Sequence, residues 1–110
     1  MAQKIFKGIA ASSGLIQAEA LIIDNPMVAP SLPVGDFVVI AEYTTPALNL
    51  LFMKAKGVAC ETGGMTMHAA VIARELGIPC VVGVKGIMKS ISNKQVITID
   101  GSKGEIYVKQ

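Results

Sequence analysis

The 110-residue sequence predicts an α/β domain, a short parallel core to which an antiparallel hairpin is added. Three observations lead there. From Phe37 to Val84, strand-length apolar runs alternate with segments whose apolar residues recur at helical spacing, the pattern of parallel βαβ units. Val96–Asp100 and Glu105–Lys109 flank Gly101-Ser102-Lys103-Gly104, a hairpin signal with glycines at the turn. A chain of this length builds one hydrophobic core and has no room for two, so residues 1–110 are read as a single domain.

Taken in order, Lys4 to Ile9 carries β-type residues, and Gly8-Ile9-Ala10-Ala11-Ser12-Ser13-Gly14 reads as a small-residue turn or loop. Ile16 to Ile23 is a second strand. Asp24 to Asp36 holds Pro26, Pro30 and Pro33 and is expected to cross the surface as a loop. It is long for a compact domain, which points to a partner-facing role. Phe37 to Ala41 is a buried strand. At Thr44-Thr45-Pro46 a helix starts, with Thr45 as N-cap and Pro46 at the first helical position, where a missing N–H costs nothing. Leu48, Leu51, Phe52 and Ala55 then give that helix one apolar face. Gly57 to Glu61 and Cys80 to Val84 are short buried strands. Gly83 to Ser90 superficially follows the spacing of a phosphate loop, but Met88 stands where the second glycine is required, so a short helix or turn is expected.

Between those last two strands lies the stretch that carries the chemistry. Gly63-Gly64 frees the backbone to take positive φ where a strand turns sharply into a helix. Thr66 is placed to cap that helix, which runs from Met67 to Leu76 until Gly77 and Pro79 stop it. His68, the only histidine, falls in the first turn. There the positive end of the helix dipole disfavours imidazolium, which keeps the lone pair a nucleophile needs. The amides of the same turn, with those of Gly63 and Gly64, can bind an anion. Neutral imidazole before reaction and a bound dianion after it suit a phosphohistidine.

Composition narrows the partners. The net charge of +2 is small and Lys and Arg are scattered without a run, so no nucleic acid is expected. No apolar stretch approaches the ~20 residues of a membrane span, and Met1-Ala2-Gln3-Lys4-Ile5 lacks the apolar core of a signal peptide. The chain therefore reads as cytoplasmic. Cys60 and Cys80 lack a metal-binding spacing and are expected to be buried free thiols. No metal site is expected.

Gly63-Gly64-Met65-Thr66-Met67-His68-Ala69-Ala70-Val71-Ile72-Ala73-Arg74-Glu75-Leu76-Gly77-Ile78-Pro79 resembles the phosphohistidine signature of the enzymes that use phosphoenolpyruvate (PEP). These include phosphoenolpyruvate synthase, pyruvate phosphate dikinase and enzyme I of the sugar phosphotransferase system. Gly8 to Gly14, Thr44-Thr45-Pro46 and Val96 to Gly101 resemble the flanking motifs in the right order. The sequence departs from the pattern at Met67, where the family commonly has Ser or Cys, at Ser13 in place of proline, and at Ala47 in place of an acidic residue.

The resemblance implies a swivelling β/β/α phosphohistidine domain, a phosphoryl carrier that travels between two remote active sites. His68 is then the catalytic nucleophile, with Gly63, Gly64 and Thr66 as phosphate-binding residues. Thr66 also matches a threonine that regulatory kinases modify in some relatives. The implied partners, in cis or in trans, are a nucleotide-binding domain of the ATP-grasp type and a PEP- or pyruvate-binding domain. Mg and ATP, or PEP, belong on those domains, and no cofactor is expected on this one. The chain is thus read as one component of a phosphotransferase, not a complete enzyme. A non-catalytic interaction module with the same fold is the alternative, favoured by Met67. Arg74 is expected in a surface or interdomain salt bridge, about 120° round the helix from His68.

Overall fold

The computed structural model describes residues 3–65 and 67–109, with only the backbone at Lys109. Its strands are β1 (Gln3–Lys7), β2 (Ile9–Ser12), β3 (Leu15–Ile22), β4 (Phe37–Ala41), β5 (Gly57–Cys60), β6 (Cys80–Val82), β7 (Val96–Asp100) and β8 (Glu105–Lys109). They form one sheet in the order β1-β8-β7-β3-β4-β5-β6-β2. The centre, β3-β4-β5-β6, is parallel. The β7–β8 hairpin joins it antiparallel through β3.

Why the central strands are apolar on both sides follows from what covers them. Phe37, Val39 and Ala41 of β4, with Val58 and Cys60 of β5 and Cys80 and Val82 of β6, pack under the helices. The alternate residues Val38, Ile40, Ala59 and Val81 pack against Ile97, Ile99, Ile106 and Val108 of the hairpin. A strand buried on both faces reads as an unbroken apolar run, and each fully buried aliphatic side chain contributes roughly 1.5–3 kcal/mol relative to exposure. The layers are therefore hairpin, parallel sheet and helix, the β/β/α arrangement.

The sheet curls until its edges approach. β1 and β2 are consecutive in sequence yet occupy opposite ends of the strand order, joined by Gly8, whose N–H donates to Gly104 O at 2.9 Å. A Cβ at Gly8 would lie 2.5 Å from the carbonyl oxygen of Val82, so only glycine fits this closure. Ile9–Ser12 is consequently a strand, paired antiparallel with β6, and not the turn or loop expected of Gly8–Gly14. Its small residues carry no local β signal; the open edge of β6 supplies the partner.

Among the helices, α1 (Asn49–Phe52) continues a 3-10 turn, Pro46–Leu48, and α2 (His68–Leu76) and α3 (Ile87–Ser90) follow β5 and β6. Thr45 caps the 3-10 turn as expected, accepting from Ala47 N–H at 3.3 Å with Pro46 behind it. α2 lies close on the sheet because the residues beneath it, Ala69, Ala70 and Ala73, are small and wholly buried. It ends at Gly77 in the left-handed region, φ 72°. No helix among the described residues is long and apolar enough to cross a membrane.

Candidate functional site

The site is built where β4 and β5 end side by side. β5 delivers the chain to Gly63 and Gly64, and β4 delivers it to Thr44 and α1. Gly63 holds φ at 105°, a conformation that L side chains rarely adopt. Its α-carbon faces Met67: a Cβ there would collide with Sδ and lie 2.9 Å from Cε. Gly64 accepts from Met67 N–H at 3.2 Å. Gly63 takes the positive φ that the sequence suggested; Gly64 does not.

Met67, not Thr66, occupies the N-cap position of α2, in extended backbone (φ −70°, ψ 161°) and without a side-chain capping bond. The helix begins one residue later than expected. Thr66 itself lies outside the described residues. Met67 does not sit as a free neighbour of the imidazole; its thioether rests on Gly63 and against the helix-side core. A serine or cysteine there would leave that space partly empty.

His68 is the first residue of α2 and is held at both ring nitrogens. Nδ1 lies 2.8 Å from Thr44 Oγ1, in the partly buried half of the site. Nε2 lies 3.1 Å from Asn49 Oδ1, on the exposed side. Phe52 meets the ring edge to face, with centroids 5.9 Å apart and planes at 70°. Thr44 is 6% exposed and is the buried polar side chain among the described residues. A threonine hydroxyl both donates and accepts, so Thr44 serves either histidine tautomer; an amide oxygen only accepts, so Asn49 as placed selects the tautomer protonated on Nε2. Turning the Asn49 amide over would set its NH2 as a donor on the Nε2 lone pair; moving the side chain aside frees that lone pair while Nδ1–H donates to Thr44.

Adjacent threonines have separate tasks. While Thr44 reaches the imidazole, Thr45 Oγ1 donates to Pro26 O at 2.6 Å and ties the proline-rich loop to the same corner. Arg74 forms no salt bridge within the chain among the described residues. Its guanidinium donates to Met65 O at 2.6 Å and to Ala11 O at 3.1 Å, bracing the glycine turn against edge strand β2. The planar fork spans two carbonyls that a lysine ammonium cannot bridge in the same way.

Cys60 and Cys80 are free and buried under the helix layer. Burial pushes both thiols upward: Cys80 reaches about 12 although Arg74 pulls the other way, and Cys60 rises further, with Cys80 adding to the effect. Protonated, desolvated thiols are inert.

Residues 33–104 match the family described as PEP-utilising enzyme, mobile domain. The chain belongs to that family. Among curated relatives, this mobile domain is 37% identical over 103 residues to a probable phosphoenolpyruvate synthase of Methanothermobacter thermautotrophicus, covering 94% of this chain and 15% of that protein. It is 43% identical over 101 residues to the rifampicin phosphotransferase of Bacillus cereus, covering 92% of this chain and 11% of the relative. A solution structure of enzyme I superposes on 67% of the mobile domain and 31% of that chain, at 32% identity and a TM-score of 0.59. The mobile domain thus spans a small fraction of the relatives it matches, and in them it is accompanied by other domains.

Thr44 and Asn49 have no assigned role in the sequence reading of this mobile domain. Thr44 stood inside a motif, but its neighbour Thr45 explained that motif as a cap. Asn49 is a polar residue in the apolar run Leu48 to Phe52, three residues before Phe52 and hence on the same helical face. That placement was its one visible signal.

Proposed function

We propose that the chain is a phosphoryl carrier in which His68 accepts a phosphoryl group on Nε2 and passes it between a nucleotide site and a pyruvate- or PEP-type site on other domains. The observation that supports this most is the unequal hold on the two nitrogens. Nδ1 is tied to buried Thr44, while Nε2 meets only an exposed amide that can be displaced. In the attack, the Nε2 lone pair forms the N–P bond in line as the bond to the leaving group breaks and its electrons depart with that group. The reactive tautomer is reached once the Asn49 oxygen has moved off Nε2; in it Nδ1 carries the proton and donates to Thr44 Oγ1. Gly63, Gly64 and Thr66 are assigned to the phosphoryl oxygens, with the first-turn amides of α2, which have no acceptor within the helix. ATP with Mg, or PEP, is bound by the partner domains, and the chain supplies the transferring nitrogen.

Phosphoramidate tests the carrier chemistry without a partner: Nε2 bonds to phosphorus and ammonia leaves with the electrons of the old P–N bond. The expected product is acid-labile and base-stable and is absent from His68→Ala. Label that persists in that variant removes His68 as the acceptor. Transfer onto the chain from a nucleotide-binding domain with labelled ATP then identifies the donor.

A further inference from the structure

Thr44, Asn49 and Phe52 engage the imidazole of His68, and they are not equivalent towards a group arriving on it. Phe52 has no donor, and the hydroxyl of Thr44 is committed to Nδ1. Asn49 carries amide N–H groups that donate to nothing among the described residues. It also stands at Nε2, with Oδ1 3.1 Å away. A phosphorus bonded to Nε2 lies along the line of that contact, and 3.1 Å leaves no space for it, so the amide moves when the group arrives.

The backbone of Asn49 is fixed. Its N–H donates to Pro46 O at the end of the 3-10 turn, at φ −59° and ψ −35°, and Leu48, Leu51 and Phe52 around it are buried. The side chain is exposed and borders a recess of about 230 Å³, lined also by Phe52, Met53, Ile72, Glu75 and Leu76. Motion is thus confined to the side-chain torsions, with open space beside them. Charge decides which end of the amide then faces the phosphoryl group. Phosphoryl oxygens are acceptors, so they repel Oδ1 and attract Nδ2–H. Nε2, once bonded to phosphorus, has neither a proton nor a lone pair with which to hold the amide. The charged residue of the recess, Glu75, is acidic and offers a dianion no donor.

We propose that Asn49 is a ligand of the phosphoryl group and uses its two ends in turn: Oδ1 accepts from Nε2–H in the free histidine, and Nδ2–H donates to a phosphoryl oxygen once Nε2 is phosphorylated. The proposal rests on the reading of His68 as the phosphoryl acceptor. Oδ1 first swings off Nε2, and the ring proton passes through solvent to Nδ1. The Nε2 lone pair then forms the bond to phosphorus as the leaving group departs with the electrons of its own bond. The amide returns with Nδ2–H towards the new anion. Asn49 therefore slows the entry of the group and strengthens the hold on it. Asn49→Ala separates the two effects, giving faster labelling and a weaker hold, whereas Asn49→Asp keeps the first and reverses the second.

The test is a phosphorus-31 NMR titration of the chain labelled with phosphoramidate. Chemical shift against pH gives the last ionisation of the phosphoryl group, and a donor on its oxygens favours the dianion and lowers that pKa. Asn49→Ala should raise it by about 0.5 to 1, and Asn49→Asp by more, because the carboxylate adds repulsion to the loss of the donor. Asn49→Gln, which keeps the amide, should restore part of the difference, and Leu50→Ala, at an exposed neighbour, should leave the wild-type value. In the wild type, the side-chain N–H signals of Asn49 should move downfield on labelling and exchange more slowly with solvent. An equal pKa in wild type and Asn49→Ala, or side-chain signals that do not respond, overturns the role of Asn49 while His68 remains the carrier. Ring-nitrogen spectra identify the labelled atom. Label on Nδ1 overturns the role of Asn49 and leaves His68 the acceptor, and no label on His68 removes both readings.

Discussion

The 2.8 Å contact between Thr44 Oγ1 and His68 Nδ1 joins two residues 24 apart in sequence, one just beyond β4 and the other at the first position of α2. Because β4 and β5 are parallel neighbours in register, both segments emerge at the same end of the sheet. The imidazole is therefore oriented by the sheet and not by its own helix alone.

Thr44→Val keeps the shape and removes the hydroxyl. A neutral hydrogen bond is worth roughly 0.5–1.5 kcal/mol net, so denaturant unfolding should show a loss of about 1 kcal/mol. Phosphoramidate labelling of His68 should slow by about tenfold, because the Nδ1 proton retained after attack loses its acceptor. An unchanged rate would mean that Thr44 only packs.

Asn49→Ala removes the acceptor that selects Nε2–H. Nitrogen-15 spectra of His68 should shift toward the tautomer protonated on Nδ1, and labelling should accelerate by a factor of about 2 to 10, the span of one displaced hydrogen bond. Asn49→Asp, which still only accepts, should keep the Nε2–H tautomer and gain no rate. If the alanine variant shows neither a tautomer shift nor a faster rate, the amide does not restrain the nucleophile.

Arg74→Lys should weaken the brace between Met65 O and Ala11 O while keeping the charge. The expected result is about 1–2 kcal/mol less stability, consistent with lost charge-assisted hydrogen bonds. Faster hydrogen exchange at the Gly63 and Gly64 amides should accompany a slower transfer. Loss of stability without any change in exchange at the glycines would make the residue structural only.

The thiols give the chain a pH limit on the alkaline side. Their protonation is the same in both states below about pH 9, the ordinary thiol value, so no dependence arises there. Above it the unfolded chain releases protons that the folded chain retains up to about 12 at Cys80 and beyond that at Cys60. Stability therefore falls as pH rises through this window, by roughly 1 kcal/mol per thiol at pH 10. Urea unfolding at pH 8 and pH 10 measures the loss, and Cys60→Ala with Cys80→Ala should flatten it. Both thiols should also resist alkylation at pH 8 in the folded chain.

Local patterns carried the strands β4, β5 and β6, the hairpin, the Thr45 cap and the Gly77 stop, because each depends on residues within a few positions of itself. They missed β2, whose Ile9–Ser12 run becomes a strand only when the sheet curls and offers the edge of β6. They also missed the hold of Arg74 on Ala11 O, since spacing along a helix says nothing of a carbonyl 63 residues away.

From the sequence alone came the α/β class, the glycine turn and the position of His68 at the head of a helix, all consequences of period, punctuation and residue type. Tertiary structure decided which groups hold the imidazole. It put Thr44 on Nδ1, Asn49 on Nε2 and Phe52 against the ring. It also seated Met67 on Gly63 and sent the first two strands to opposite edges of the sheet. The physical reason is that these contacts arise from the register of parallel strands and the close approach of an alanine-faced helix, so they belong to pairs of segments and are written in neither segment by itself.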